Sequence, residues 1–103
     1  MQADPLLYLT VDGVFEIHGR GTVVTGYIDN GALQLGDDVC VHGRSGVCRG
    51  TVTGIEAGGS VRQRAGKGDR VGVVLRGVTK EDVRRGDFIC AVEPISTKEP
   101  GNG

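Results

Sequence analysis

Nineteen glycines are spaced through 103 residues, and between them lie short runs of Val, Ile and Leu rather than long amphipathic stretches. Glycine averages about 7% of ordinary sequence, so this chain must turn often. A turn at roughly every 8–12 residues, alternating apolar and polar positions, and no long 3.6-residue period predict an all-β fold. Closing six or seven such short strands on themselves gives an antiparallel Greek-key β-barrel, which leaves no open sheet edge. There is no Trp, and the aromatic residues are Tyr8, Tyr27, Phe15 and Phe88. The core is therefore expected to be aliphatic.

Along the chain, residues 1–4 read as a flexible start, 5–93 as the barrel and 94–103, with Pro94 and Pro100, as a disordered tail. Pro5–Val11 and Val14–His18 read as strands separated by an Asp12-Gly13 turn. Gly19 and Gly21 bracket Arg20, a bend that leads into a strand from Thr22 to Ile28 and a turn at Asp29-Asn30-Gly31. Ala32–Asp37 is a short segment closed by Gly36-Asp37. Asp38–His42 and Val47–Glu56 form the clearest hairpin, with Gly50 and Gly54 marking bulges or tight curvature. Residues 57–69 read as a polar loop, and Arg70–Leu75 as a buried strand. Thr79–Gly86 is the one helix-like piece, a single turn with Thr79 and Asp82 as a capping box and Gly86 as its stop. Asp87–Val92 is the last strand. No internal repeat is evident.

Composition excludes several classes. A formal net charge of −1 provides no global attraction to nucleic acid or membrane, so any such contact must be local. No apolar run approaches the roughly 20 residues of a membrane span. Three cysteines without a disulfide-scaffold rhythm point to a reducing cytoplasm. Cys40 and Cys48 are expected to face each other across the hairpin with His42 near its tip. Burial as small hydrophobes fits them better than a zinc site, which wants closed tetrahedral ligation and a recognisable knuckle. His18 and His42 sit in no catalytic motif, so no enzyme and no cofactor are expected. Gly66-Lys67-Gly68 lacks the spacing and hydroxyl of a phosphate-binding P-loop, and Gly19-Arg20-Gly21 is followed by Val24 and no helix, unlike a dinucleotide fingerprint.

The stretch Val14-Phe15-Glu16-Ile17-His18-Gly19-Arg20-Gly21-Thr22-Val23-Val24-Thr25-Gly26 closely resembles the opening of the second domain of elongation factor Tu. The resemblance continues through Gly36-Asp37-Asp38-Val39, Thr53-Gly54-Ile55-Glu56, the run from Gly68 to Val78, and Glu81 to Asp87. It covers roughly residues 5 to 93 and implies a translation-factor barrel that, in the family, follows a GTPase domain and helps seat the aminoacylated 3′ end of tRNA. By resemblance, Ile17, Gly19, Arg20, Val23, Glu56 and Val74 line the adenosine platform. Two apolar side chains would pack a base and the Glu56 carboxylate would accept from a ribose hydroxyl. The chain departs from the family at Gly58-Gly59, which takes side chains off the pocket rim, and at Arg70, where Asn is common.

Each of these residues also has a plainer reading. Arg20 either touches RNA backbone or shapes the bend with its charge in solvent, and Glu56 is either a ribose acceptor or an exposed strand-end carboxylate. Arg62, Arg64, Lys67 and Arg70 either contact phosphates or form a solvated basic loop, with no aromatic interleaved to stack bases. Two functions follow. One is a non-catalytic module binding the acceptor end of tRNA or a ribosomal RNA element through the face around Ile17, Gly19, Arg20, Val23, Glu56, Arg70 and Val74. The other is a protein-interaction barrel docking on a GTPase domain or another translation factor, with no RNA site. Neither involves DNA or a membrane.

Overall fold

In the computed structural model, which describes residues 3–44 and 46–92, nine strands follow in order. They are β1 (Tyr8–Ile17), β2 (Gly21–Asn30), β3 (Ala32–Gln34), β4 (Asp38–Gly43), β5 (Gly46–Ala57), β6 (Ser60–Arg62), β7 (Arg64–Gly66), β8 (Arg70–Arg76) and β9 (Phe88–Ala91). Six of them close into a ring in the order β4-β9-β1-β2-β8-β5, with β5 returning to pair β4. Every pairing is antiparallel, β6 adds to the edge of β5, and β3 and β7 form a separate two-stranded ribbon. The expected all-β barrel is the one observed.

The interior follows from the two-residue period of a strand. Leu9 and Val11 of β1, Val24 and Ile28 of β2, Val39 and Val41 of β4, Val52 and Ile55 of β5, Val71, Val73 and Leu75 of β8, and Ile89 of β9 are all buried. Burying each such side chain contributes about 1.5–3 kcal/mol. Thr22 is a buried polar exception, and its hydroxyl donates to the Val78 carbonyl at 2.6 Å. Gly26 is required by close approach, because a Cβ there would run into the Thr10 carbonyl oxygen of β1.

One turn design recurs four times. In Gln34–Asp37, Gly66–Asp69, Thr79–Asp82 and Arg84–Asp87 the aspartate N–H donates to the carbonyl of the first residue, at 2.9 to 3.2 Å. Its carboxylate accepts from the first residue's N–H, at 2.8 to 2.9 Å. In three of the four the aspartate follows a glycine with φ near +90°: Gly36, Gly68 and Gly86. That backbone region costs a residue with a Cβ and costs glycine little.

These turns explain where the sequence expectation fails. Thr79 and Asp82 do make the expected contact, with the Thr79 N–H and hydroxyl donating to Asp82 at 2.8 and 3.0 Å. No helix follows. Val78 and Val83 are drawn into the core, the Gly86 N–H donates to the Val11 carbonyl at 2.8 Å, and the Val11 N–H to the Asp87 carbonyl at 2.9 Å. Tertiary contacts override a local preference worth only fractions of a kcal/mol per residue. Asp12-Gly13 is likewise no turn. It lies inside a continuous β1, where the pairing with β2 shifts between Val11 and Gly13 and leaves Asp12 as an extra, bulged residue. The presumed loop at 57–69 contains β6 and β7. Ala3 is packed in the core and Asp4 accepts from the Leu6 N–H at 2.8 Å, while the expected tail at 94–103 lies outside the described residues.

Candidate functional site

The hairpin from β1 to β2 turns where expected. Gly19 and Gly21 have φ of 81° and 113°, and the Arg20 N–H donates to the Ile17 carbonyl at 2.9 Å. Beyond it, strand register assembles an outward face across four strands. Phe15, Val23, Val74 and Gly54 stand in one row of β1, β2, β8 and β5, and Gly13, Thr25, Gly72 and Glu56 stand in the next. Their neighbours Val24, Val73 and Ile55 point inward, so this row faces out.

Glycines make the face shallow. Gly13 has no room for a Cβ, which would meet Thr25 Oγ1 at 2.6 Å, whereas a Cβ at Gly72 would find only ordinary contacts, 3.9 Å from Thr25 and Val23. Gly54 sits at the β5 bulge, where a Cβ would stand 3.0 Å from Val74 Cγ2 and 3.4 Å from Arg20 Nη2. The Arg20 guanidinium thus reaches back over the sheet to Gly54, beside Val74, which is buried although it belongs to the outer row. Phe15 is 56% exposed and Ile17 41%. The result is a floor of glycine backbone and small apolar side chains, an exposed ring at one side, a carboxylate at the other and a guanidinium at the hairpin end. A planar, partly polar group fits such a surface by stacking and by donating to the carboxylate. The hairpin itself, Glu16 to Gly21, borders an open concavity of about 500 Å³.

At the other end of the same face the bulged Asp12 is fully engaged. Thr25 Oγ1 donates to it at 2.7 Å, and Arg70 Nη2 donates to its two oxygens at 3.0 and 3.2 Å. The Thr25 hydroxyl above all, helped by the Arg70 guanidinium and the charge of Arg85, holds the Asp12 carboxyl below the usual aspartate value against burial, the second-strongest influence, which raises it. The Arg70 guanidinium also lies 5.8 Å from the Tyr27 ring centroid.

The register therefore gathers Val23, Val74 and Glu56, brings Arg20 over them and places Ile17 and Gly19 at the adjoining hairpin. It sets Arg70 apart: Arg70 pairs with Tyr27, four residues along β2 from Val23, or about 13 Å. Lys67 is farther still, in a turn docked on Ile28 by the Gly68 N–H at 2.8 Å. Arg62 lies on β6 opposite Ile55, and Arg64 on β7 lines a small cavity with Asp4 and Asp37. Arg64, Lys67 and Arg70 thus stand away from Arg20, whereas Arg62 stands one strand over from the Gly54–Glu56 stretch that Arg20 approaches. Phe15, Thr25, Gly72 and Asp12 join the site without having been singled out. The alternation of β2 puts Thr25 on the same side as Val23, but nothing local to β8 or β1 says which residues stand beside them.

The hairpin cysteines also differ from expectation. Cys48 stands opposite Val41, and Cys40 opposite Arg49 on one side and Cys90 on the other.

The sequence profile of the family Elongation factor Tu domain 2 matches residues 21–90. The apo-form crystal structure of translation elongation factor SelB from Methanococcus maripaludis resembles the chain with a TM-score of 0.74 at 32% identity. The match covers 82% of this chain and 18% of that one, so the present chain corresponds to a small part of that factor.

Proposed function

Because the chain belongs to the elongation factor Tu domain 2 family, we propose that it acts within translation as a non-catalytic barrel whose glycine-floored face receives the 3′ end of an RNA, in the first instance the CCA end of a tRNA. The observation that carries this reading is the convergence of Val23, Val74 and Glu56 over Gly54 and Gly72, with Arg20 at the hairpin end. A base lies on the apolar floor beside Phe15, Glu56 accepts from a ribose hydroxyl, and Arg20 swings from Gly54 to a phosphate oxygen. Arg70 remains tied to Asp12 and borders the pocket at its far end, where the aminoacyl group would extend. The chain brings no P-loop, so GTP chemistry belongs to another domain.

With one cation at the site, binding of the isolated barrel is weak, about millimolar to micromolar, and falls as salt rises. The test is an NMR titration of isotope-labelled protein with a short acceptor-stem RNA ending in CCA, at two salt concentrations. Shifts at residues 13–25, 54–56 and 72–74 that shrink with salt support the face. Absence of shifts at millimolar RNA removes it, and the barrel is then better read as a docking module for a GTPase domain or another factor.

A further inference from the structure

We propose that Cys40 and Cys90 form a peroxide-reactive dithiol that closes into a reversible disulfide across the seam between β4 and β9. The two residues stand directly opposite each other in the antiparallel register. Both are half-buried, and the alternating neighbours Val39, Val41 and Ile89 are buried, so both cysteines belong to the outer surface of the barrel. Residues directly opposite in an antiparallel pair have Cα atoms about 4.5–5.5 Å apart. A disulfide spans Cα atoms about 4.4–6.8 Å apart, so the backbone spacing of this register suits the bond once the two Cβ atoms draw slightly together. Around them the surface is ordered: His42 and Tyr8 both stack on Phe88, each with ring centroids 4.9 Å apart. Tyr8 stands opposite Cys90, and Arg49 opposite Cys40.

The third cysteine is excluded from this chemistry by its position. Cys48 stands opposite Val41, packs against the core, and lies 3.7 Å from the Gly77 carbonyl oxygen. Burial first, and then the nearby Asp82 carboxylate, push its thiol above the usual value and keep it protonated, which makes it a poor nucleophile. Among the described residues no three His, Cys, Asp or Glu side chains are grouped to hold a metal ion, which favours dithiol chemistry over a metal centre for this pair.

The reaction needs a peroxide as oxidant. One thiolate attacks a peroxide oxygen, the O–O bond breaks, and a sulfenic acid and hydroxide result. The second sulfur then attacks the sulfenic sulfur, forming the S–S bond as hydroxide leaves, and the two released protons complete two waters. Two thiols lose two electrons in total and hydrogen peroxide gains them. A dithiol reductant reverses the step by exchange. The bond would join the last strand of the ring to β4 and tie residues 40 and 90, which restricts the unfolded chain and raises the melting temperature.

The test is to treat the reduced 103-residue chain with hydrogen peroxide and to map thiols and linked peptides by mass spectrometry without reduction. The expected result is a fall from three thiols to one and a monomer lighter by two hydrogens. Cys40 and Cys90 peptides should be joined, the melting temperature raised, and all changes reversed by dithiothreitol. Cys48→Ser keeps the crosslink, while Cys40→Ser and Cys90→Ser, each checked for a native circular dichroism spectrum, lose it. A bond to Cys48, a crosslink between molecules, sulfinic acid at either residue without a bond, or three thiols left untouched overturns the proposal.

Discussion

Two outer faces of one barrel are built by the same alternation and finished differently. Across β1, β2, β8 and β5 the outward positions are Gly13, Gly54 and Gly72 among Val23, Thr25 and Val74, so the sheet backbone itself is near the surface. Across β1, β9 and β4 the outward positions are Tyr8, Phe88 and His42, whose rings stack, and the two half-buried thiols beside them. The interior behind both is the same aliphatic packing. An open face floored by glycine leaves room for a ligand, whereas a face filled by its own stacked rings does not. The difference lies in which outward positions lack side chains, not in the fold.

The comparison breaks most completely if the strands under both faces are forced apart. Gly26→Ala places a methyl against the Thr10 carbonyl and should destabilise the barrel by about 4 kcal/mol or more, read as a collapsed urea midpoint. Removing a turn clamp is smaller. Asp69→Ala leaves the Gly66 N–H without its acceptor and should cost about 1–2 kcal/mol by the same measurement.

Filling the open face sharpens the contrast without touching the core. Gly72→Val extends a side chain from a position with room for its Cβ, so stability should hold within about 0.5 kcal/mol. RNA affinity should drop about tenfold, or about 1.4 kcal/mol, within the roughly 1–3 kcal/mol that one base stack contributes. Arg20→Ala should weaken RNA binding severalfold and lower the salt slope by about 0.7, the single-strand value for one phosphate contact. The smallest effect is in acid. Asp12 and Asp82 both titrate below the usual aspartate value, Asp82 because the Thr79 N–H and hydroxyl donate to it. Their stabilisation is present above the ordinary value of about 3.9 and is lost as pH falls through the lower folded values. Asp12→Asn should therefore flatten part of the acid limb of a stability–pH curve.

Much of the architecture was legible because it is local. The Gly19-Arg20-Gly21 bend, the β4–β5 hairpin and the strand at 70–76 are set by alternation and turn residues that neighbour each other in sequence. What escaped was decided across the barrel. Residues 79–86 carry a helix signature but are pinned to Val11, and Asp12-Gly13 has turn chemistry but bulges inside a paired strand. Cys40 finds Cys90, fifty residues away, rather than its hairpin neighbour. The site divides in the same way. Val23 and Glu56 were singled out from their motifs and the register puts them on one face, but Gly72 and Phe15 joined that face only when β8 and β1 flanked β2.

The most direct measurement compares the affinity of a CCA-ended acceptor RNA for the unaltered chain and for Gly72→Val, with matched melting temperatures confirming both folds. Salt-sensitive binding to the first and about tenfold weaker binding to the second is the predicted result. Equal affinity for the two proteins would contradict the claim that the glycine-floored face is where RNA binds.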